Sequence, residues 1–195
     1  KSAGESITAV ESVLATCDAK SAKIASISGR FYAMDRDKRW DRVEKAFNAI
    51  VHAQAAHTAL TAMDALNAAY ARGENDEFVV PTLIDGGAPI REGDAVILMN
   101  FRADRAREMT EAIAFEKFAG FDRGTMPKLS AYVCLSFYGD AYAHLPTGFR
   151  NDVVVDGFAE TLAKAGLTQL RIAETEKYAH VTYFFSGGQE KPFAG

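Results

Sequence analysis

The spacing of apolar residues changes period several times along the 195-residue chain. Between Ser6 and Cys17, the residues Ile7, Val10, Val13 and Leu14 share one helical face. Ile24 to Ser28 alternates and runs into Gly29, the pattern of a short strand followed by a loop. Asp41 stands where it can cap a helix whose apolar stripe is Val43, Ala46, Phe47, Ile50 and Val51. An Ala-rich helix is expected from Thr58 to Arg72, with Gly73 to end it. Pro81, Gly86, Gly87, Pro89 and Gly93 then impose turns around a short strand near 78–80. The run 95–99 is apolar throughout, which predicts a strand buried on both faces. A helix from Ala103 to Phe115 and a strand from Tyr132 to Phe137 follow.

From Gly139 onward Pro146 and Gly148 interrupt any period, and a hinge linker is expected over 141–150. Beyond it the pattern predicts a helix over 155–165, ended by Gly166, and strands over 170–173 and 181–185. Strands alternating with helices predict an α/β fold, a layered and largely parallel sheet flanked by helices over 1–140. Residues 151–195 read as a partial second α/β domain, too short to hold its own core.

Composition narrows the function classes. There are 22 Lys+Arg against 26 Asp+Glu, a formal charge of −4, with 48% apolar residues. That balance fits a globular chain and argues against a polyanion-binding surface over the whole molecule, so no nucleic-acid partner is expected. No run approaches the roughly 18 apolar residues of a membrane span, and the first residues do not read as a signal peptide. The chain does not begin with Met, and a piece of a longer chain is expected. Cys17 and Cys134 lie far apart without a C-x-x-C, so two buried thiols in a reducing compartment are expected rather than a disulfide or a zinc site.

Basic chemistry must therefore be local. Residues 29–42 hold five cations and three carboxylates between a strand and a helix, interleaved with Phe31, Tyr32 and Trp40. Such charges often form solvated pairs of little consequence. Here Gly29 stands at a strand end, where α/β sheets place ligands, and an arginine fork suits a phosphate or carboxylate. The second cluster, 100–107, follows the strongest strand and opens the next helix. Its helix N-terminus would add to Arg102 and Arg105, with Asp104 placed to fix one guanidinium. In the third, 174–180, Lys177 between carboxylates is more often a surface pair than a catalytic cation, and His180 more often structural than a base. No P-loop, G-x-G-x-x-G, G-x-S-x-G or H-E-x-x-H occurs.

Together these three segments resemble the cofactor-independent phosphoglycerate mutases. The shared stretches are Gly-Arg-Phe-Tyr-Ala-Met-Asp-Arg-Asp at 29–37, Asn-Phe-Arg-Ala-Asp-Arg-Ala-Arg at 100–107 and Glu-Thr-Glu-Lys-Tyr-Ala-His-Val-Thr-Tyr-Phe-Phe at 174–185. The resemblance covers essentially the whole chain, with Ser186 where the family's Asn is expected. It implies an alkaline-phosphatase-like enzyme with an inserted phosphotransferase domain, interconverting 3-phosphoglycerate and 2-phosphoglycerate through a phosphoserine. Residues 1–140 would be most of that inserted domain, and 151–195 the returning phosphatase domain. Arg30, Arg36, Arg102 and Arg105, with Asp104, match the family's substrate-binding positions, and Lys177 its lysine at the phosphoryl-transfer site. The resemblance further implies two divalent metal ions, manganese or magnesium, no bisphosphoglycerate, and a cytoplasmic monomer. The nucleophilic Ser and the metal ligands would lie outside this chain, which alone is expected to be inactive. The rival reading of the arginines is a non-catalytic module that binds anions or a phosphorylated partner.

Overall fold

The computed structural model describes residues 3–17, 22–150, 154–189 and 191–195. The first residues of the expected second domain, 151–153, lie outside them. The chain forms two compact units, 1–149 and 150–195.

Within the first unit, α1 (Ala3–Thr16) leads to β1 (Ser26–Ile27), the short α2 (Arg30–Ala33) and α3 (Trp40–Val51). β2 (His57–Ala59), α4 (Ala62–Ala71), β3 (Thr82–Ile84) and β4 (Ala95–Leu98) follow, then α5 (Arg107–Ala114), β5 (Ala131–Ser136) and β6 (Thr147–Phe149). The strands form two three-stranded sheets, ordered β1-β3-β2 and β4-β5-β6. β1 runs antiparallel to β3, while β2–β3, β4–β5 and β5–β6 are parallel. The expected α/β fold with a largely parallel sheet is thus what forms.

Each sheet has its own core. Over the first, α4 buries Ala62, Ala65, Leu66 and Ala69 against Ile7, Val79 and Ile84. Over the second, α3 contributes Val43, Ala46, Phe47 and Val51, and α5 contributes Met109, Ala112 and Ile113. They close on Tyr132 and Cys134 of β5, with Val96 and Leu98 of β4 at the margin.

Several local expectations are corrected. α1 is there, but only Ile7 of its apolar face is buried; Val10 and Val13 are exposed. Asp41 does not cap α3: Arg39 occupies the cap position and Asp41 lies in the first turn, where the helix dipole favours it. The Ala-rich helix begins later than Thr58, because 57–59 pair with β3 and Thr61 caps the helix by accepting the Asp64 N–H at 3.1 Å. The strand expected near 78–80 forms at 82–84, since the carbonyls of Glu77 and Val79 are taken up by Phe31 and Gly29. β4 is half-buried on one face and exposed on the other. It is a sheet edge with β5 as its single neighbour, and Ile97 stays 61% exposed. Cys17 is exposed, whereas Cys134 is buried and its thiol is pushed up to about 11 by burial.

The segment expected as a linker contributes to the first unit. Tyr142 is buried against Phe115, and β6 pairs with β5 through Cys134–Thr147 and Ser136–Phe149. The division between units falls after Phe149. In the second unit, α6 (Phe158–Lys164) forms within the expected helix, and Gly166 ends it with a φ of +70°. The strands expected at 170–173 and 181–185 do not form. Leu170 and Ile172 are exposed, and His180–Phe184 is a π-helical turn. A strand needs a ladder partner for its N–H and C=O groups, and among the described residues 154–195 offer none. No described helix is long and apolar enough to cross a membrane.

Candidate anion-binding site

The first wall of the site is set by a glycine that the backbone demands. Gly29 donates its N–H to the Val79 carbonyl at 2.8 Å, and Phe31 to that of Glu77 at 3.0 Å. A Cβ on residue 29 would lie 2.3 Å from the Glu77 oxygen, so no side chain fits without moving backbone. α2 starts at once after it, where a loop was expected, and the aromatics hold it down. Phe31 packs on Tyr32 and Phe78, and the Arg42 guanidinium lies 3.9 Å over its ring.

Residues 34–39 then turn tightly around Asp35, which is only 4% exposed. Asp35 Oδ2 accepts the N–H groups of Asp37 (2.9 Å) and Arg39 (3.0 Å), and Oδ1 accepts Arg42 Nη1 at 3.2 Å. Lys38 takes a left-handed φ of 55°, a conformation that costs a non-glycine residue on the order of 1 kcal/mol. Its N–H donates to Glu108 Oε1 at 2.8 Å.

The second wall follows β4. Tyr138 Oη donates to the Asn100 carbonyl at 2.5 Å and Ser136 Oγ to that of Phe101 at 2.6 Å, which fixes the exit from the strand. The expected single helix from 103 is divided. A 3-10 turn spans Ala103–Arg105 and α5 begins only at Arg107, so Arg102 precedes the turn and Arg105 ends it, neither standing at an α-helical N-terminus. Arg107 donates Nε to the Tyr138 carbonyl at 2.8 Å and braces the scaffold.

The two walls meet at Asp104. Its Oδ2 accepts Arg36 Nη1 at 3.1 Å and Arg102 Nη2 at 3.4 Å, while Oδ1 is buried without a donor. Arg105 crosses the other way, donating Nη1 to the Met34 carbonyl at 2.9 Å. Arg30 lies further out, 3.2 Å from Glu77 Oε1. Burial holds the Arg105 guanidinium below its usual range. The positive charges of Arg36, Arg30 and Arg102 act in the same direction, and Asp104 opposes them. Arginine does not deprotonate in consequence. The shift instead reports crowded positive charge that a bound anion would relieve, and planar forks suit a carboxylate or phosphate. Arg30, Arg36, Arg102, Asp104 and Arg105 are thus brought into one site.

Two members escaped the sequence reading. Asp35 reads in the sequence as one loop charge among several, and nothing there singles out Glu108 on its helix. Glu108 is 6% exposed, and its carboxyl is pushed up to about 7, first by burial and then by Asp35 and Glu111. It occupies the first turn of α5, where the dipole favours a carboxylate by roughly 0.3–1 kcal/mol, too little to offset the burial. Periodicity marks no such residue; a carboxylate on the buried face of an amphipathic helix was the available signal.

Over residues 1–140 the chain matches the family described as BPG-independent PGAM N-terminus. The chain belongs to this family. Among curated relatives, the 2,3-bisphosphoglycerate-independent phosphoglycerate mutase of Laribacter hongkongensis is 53% identical over 186 residues, 95% of this chain and 36% of the relative. That of Pseudomonas entomophila is 56% identical over 173 residues, 89% of this chain and 34% of the relative. Among solved structures, the Leishmania mexicana phosphoglycerate mutase, described at low cobalt concentration, superposes with a TM-score of 0.80 at 32% identity. It covers 96% of this chain and 36% of its own. The chain therefore spans about a third of the length of these relatives.

In this chain the remaining candidate belongs to the second unit. Lys177 ends a 3-10 turn over Thr175–Lys177 and is exposed, its N–H donating to the Glu174 carbonyl at 2.9 Å. Nearby, Arg171 donates Nη1 to Ser186 Oγ at 2.6 Å, so the serine that stands where asparagine is expected has a structural partner. Among the described residues, no group of three or more His, Cys, Asp or Glu is placed to hold a metal ion. The described residues do not fit a divalent metal site.

Proposed function

We propose that this chain is the substrate-gripping part of an enzyme that interconverts 3-phosphoglycerate and 2-phosphoglycerate. The observation that carries the reading is the convergence of arginines from two distant segments, 30–36 and 102–105, around Asp104. A phosphoglycerate bears a carboxylate and a phosphate, and a mutase must hold the glycerate while the phosphoryl group moves between hydroxyls. Fork-like donors fixed by a buried carboxylate hold the anion in a set orientation, and orientation is a large part of phosphoryl-transfer catalysis. The same carboxylate leaves Oδ1 available to accept a hydroxyl of the glycerate.

In this reading the first unit is the inserted phosphotransferase domain and residues 150–195 re-enter the phosphatase domain, with the hinge between them. Lys177 offsets charge on the transferring oxygens. The phosphoserine nucleophile and the divalent metals, manganese or magnesium, belong to the rest of the longer protein. Its setting is the cytoplasm, as a monomer, in glycolysis and gluconeogenesis. No bisphosphoglycerate is needed as cofactor, in keeping with the family's description.

Calorimetry of the chain with 3-phosphoglycerate, a phosphopeptide and an oligonucleotide tests the reading. Binding of 3-phosphoglycerate, lost in Arg102→Ala, supports it; preference for the phosphopeptide would move the arginines to a partner-recognition role. In the full-length enzyme, Arg30→Ala and Arg102→Ala are expected to abolish turnover with the fold intact. Near-normal turnover in both would overturn the assignment, as would mutase activity from the 195-residue chain alone.

A further inference from the structure

Below the arginines lies a polar pair that the proposed reaction does not use. Asp35 and Glu108 are both buried, and both hold the turn 37–39, Asp35 through the Asp37 and Arg39 N–H groups and Glu108 through that of Lys38; they come from the two segments that carry the arginines. Their donors are unequal. Asp35 receives three N–H bonds, from Asp37, Arg39 and Arg42, and its negative charge is matched by the Arg42 guanidinium. Glu108 receives one, from Lys38, and its Oε2 is buried with no donor at all. Two buried carboxylates side by side repel, and an orphaned buried acceptor is costly. One proton cures both faults, and it belongs on the oxygen that lacks a donor.

We propose that Glu108 is a positioning residue for the arginine cluster. It holds a proton that it donates to the Asp35 carboxylate, and this bond pins the segment bearing Arg36 to the first turn of α5, just beyond Arg102 and Arg105.

The surroundings favour this assignment over one on Asp35. The groups facing Glu108 are Asp35 backed by Arg42, the Lys38 N–H, Glu111 on its own helix, and Tyr142, whose hydroxyl hydrogen-bonds Glu111. Among the described residues no ion pair reaches it, and the Lys38 N–H and the helix dipole are what favour its ionised form. Burial pushes its carboxyl up to about 7, within reach of ordinary working pH. Two other links span the same seam, Arg36 to Asp104 and Arg105 to the Met34 carbonyl. When Glu108 loses its proton, like-charge repulsion drives residues 34–39 off α5, and both links are strained together. The left-handed Lys38 is part of the same clamp, because that backbone turn aims its N–H at Glu108.

The test begins without ligand, on the 195-residue chain. Carboxyl ¹³C titration should place the Glu108 midpoint near 7; a midpoint in the ordinary range, below about 5, overturns the proposal. Amide-exchange protection factors for Asp37, Lys38 and Arg39 should fall about tenfold between about pH 6 and about pH 8.5, and stay level in Glu108→Gln. Glutamine keeps an acceptor for Lys38 and offers an N–H to Asp35, so it copies the protonated acid. Protection that falls equally in wild type and Glu108→Gln overturns the proposal.

The effect on ligand rests on the phosphoglycerate reading, and 3-phosphoglycerate is the probe. Its affinity should drop about tenfold more over the same pH range in wild type than in Glu108→Gln, with Glu108→Ala weak throughout; equal pH dependence in wild type and Glu108→Gln overturns the positioning role. If no 3-phosphoglycerate binds at any pH while the midpoint and protection behave as expected, the phosphoglycerate reading fails and the carboxyl clamp stands.

Discussion

The segments 29–42 with 100–108, and the segment 174–186, are equally distinctive as sequence, yet they fold under different conditions. In the first, the inner charges of the site are anchored by groups withdrawn from water, Asp35 beneath the turn and Asp104 between two arginines, while Arg30 pairs with Glu77 at the exposed rim. In the second, Lys177 and Tyr178 are exposed on short turns, and the apolar Leu170 and Ile172 face outward. A motif specifies residue types; the core beneath it specifies their geometry. The first pair of segments has α3, α5 and a parallel sheet below it, whereas the described residues of 154–195 form one α-helix of seven residues, two short turns of other helix types and no strand.

The sharpest way to break this comparison is to remove the core that supports the arginines. Phe47 of α3 is fully buried and packs against Phe121 and His52. Phe47→Ala should cost about 3–5 kcal/mol in urea unfolding, because a large cavity cannot collapse between a helix and a sheet. The arginine site should lose 3-phosphoglycerate affinity in step. Retained affinity with stability lost would show that the loops hold their shape without the core.

Next come the arginines themselves, ranked by how far they are withdrawn from water. The Arg36 side chain is 17% exposed in its pair with Asp104, that of Arg102 is 43% exposed, and that of Arg30 is 55% exposed beside Glu77. A hydrogen bond to a charged partner is worth roughly 1.5–3 kcal/mol when desolvated and much less in water. Arg36→Ala should therefore weaken 3-phosphoglycerate most, Arg102→Ala less and Arg30→Ala least, as read by calorimetry. The reverse order would mean that the ligand sits at the exposed rim, near Glu77.

How much of this was legible in the sequence follows from what each signal measures. The stripe Val43, Ala46, Phe47, Val51 was readable because helical period and burial coincide on α3. The arginines were readable as residues, since Gly29 and the end of β4 mark strand termini, but not as an arrangement. That Arg36 and Arg102 share Asp104 depends on chain segments 68 and 2 residues apart meeting at one oxygen. Ala95–Met99 misled because an all-apolar run does not tell a central strand from an edge, and only the partner count does. Val181–Phe185 misled for a related reason: β-branched and aromatic content marks a strand only where a ladder is available. Lys177 stood out by resemblance alone, since nothing in its local chemistry separates it from a surface lysine.

A smaller effect tests the buried pair through stability. The Glu108 carboxyl lies near 7 in the folded chain against an ordinary value of 4.5. The folded state therefore keeps a proton that the unfolded chain releases between those values. Its contribution is fully present below about pH 4.5 and is lost as pH rises through 7, at no more than about 1.4 kcal/mol per pH unit. Glu74 and Asp76, held below the usual carboxylate range by hydrogen bonds to Arg72 and Tyr70, act in the opposite sense at lower pH. The difference between wild type and Glu108→Gln isolates the term: the wild-type curve should fall relative to the variant from about pH 4.5 to about pH 7, then run parallel to it. Parallel curves throughout would mean that Glu108 is ionised in the folded chain.

The smallest expected effect bears most directly on the contrast between the two regions. Leu170 is 85% exposed and Ile172 82% exposed, so truncating either removes almost no buried surface. Leu170→Ala and Ile172→Ala should each change urea stability of the 195-residue chain by less than about 0.5 kcal/mol, the usual range for surface positions. Two apolar side chains on a strand-like pattern are nevertheless the kind that burial rewards once a ladder partner is present. Placed in the longer protein, the same substitutions should cost several times more if 170–173 become the strand that their sequence predicts. An equal, near-zero cost in both settings would mean that the exposed run is surface by design, and that its apolar pattern never served a sheet.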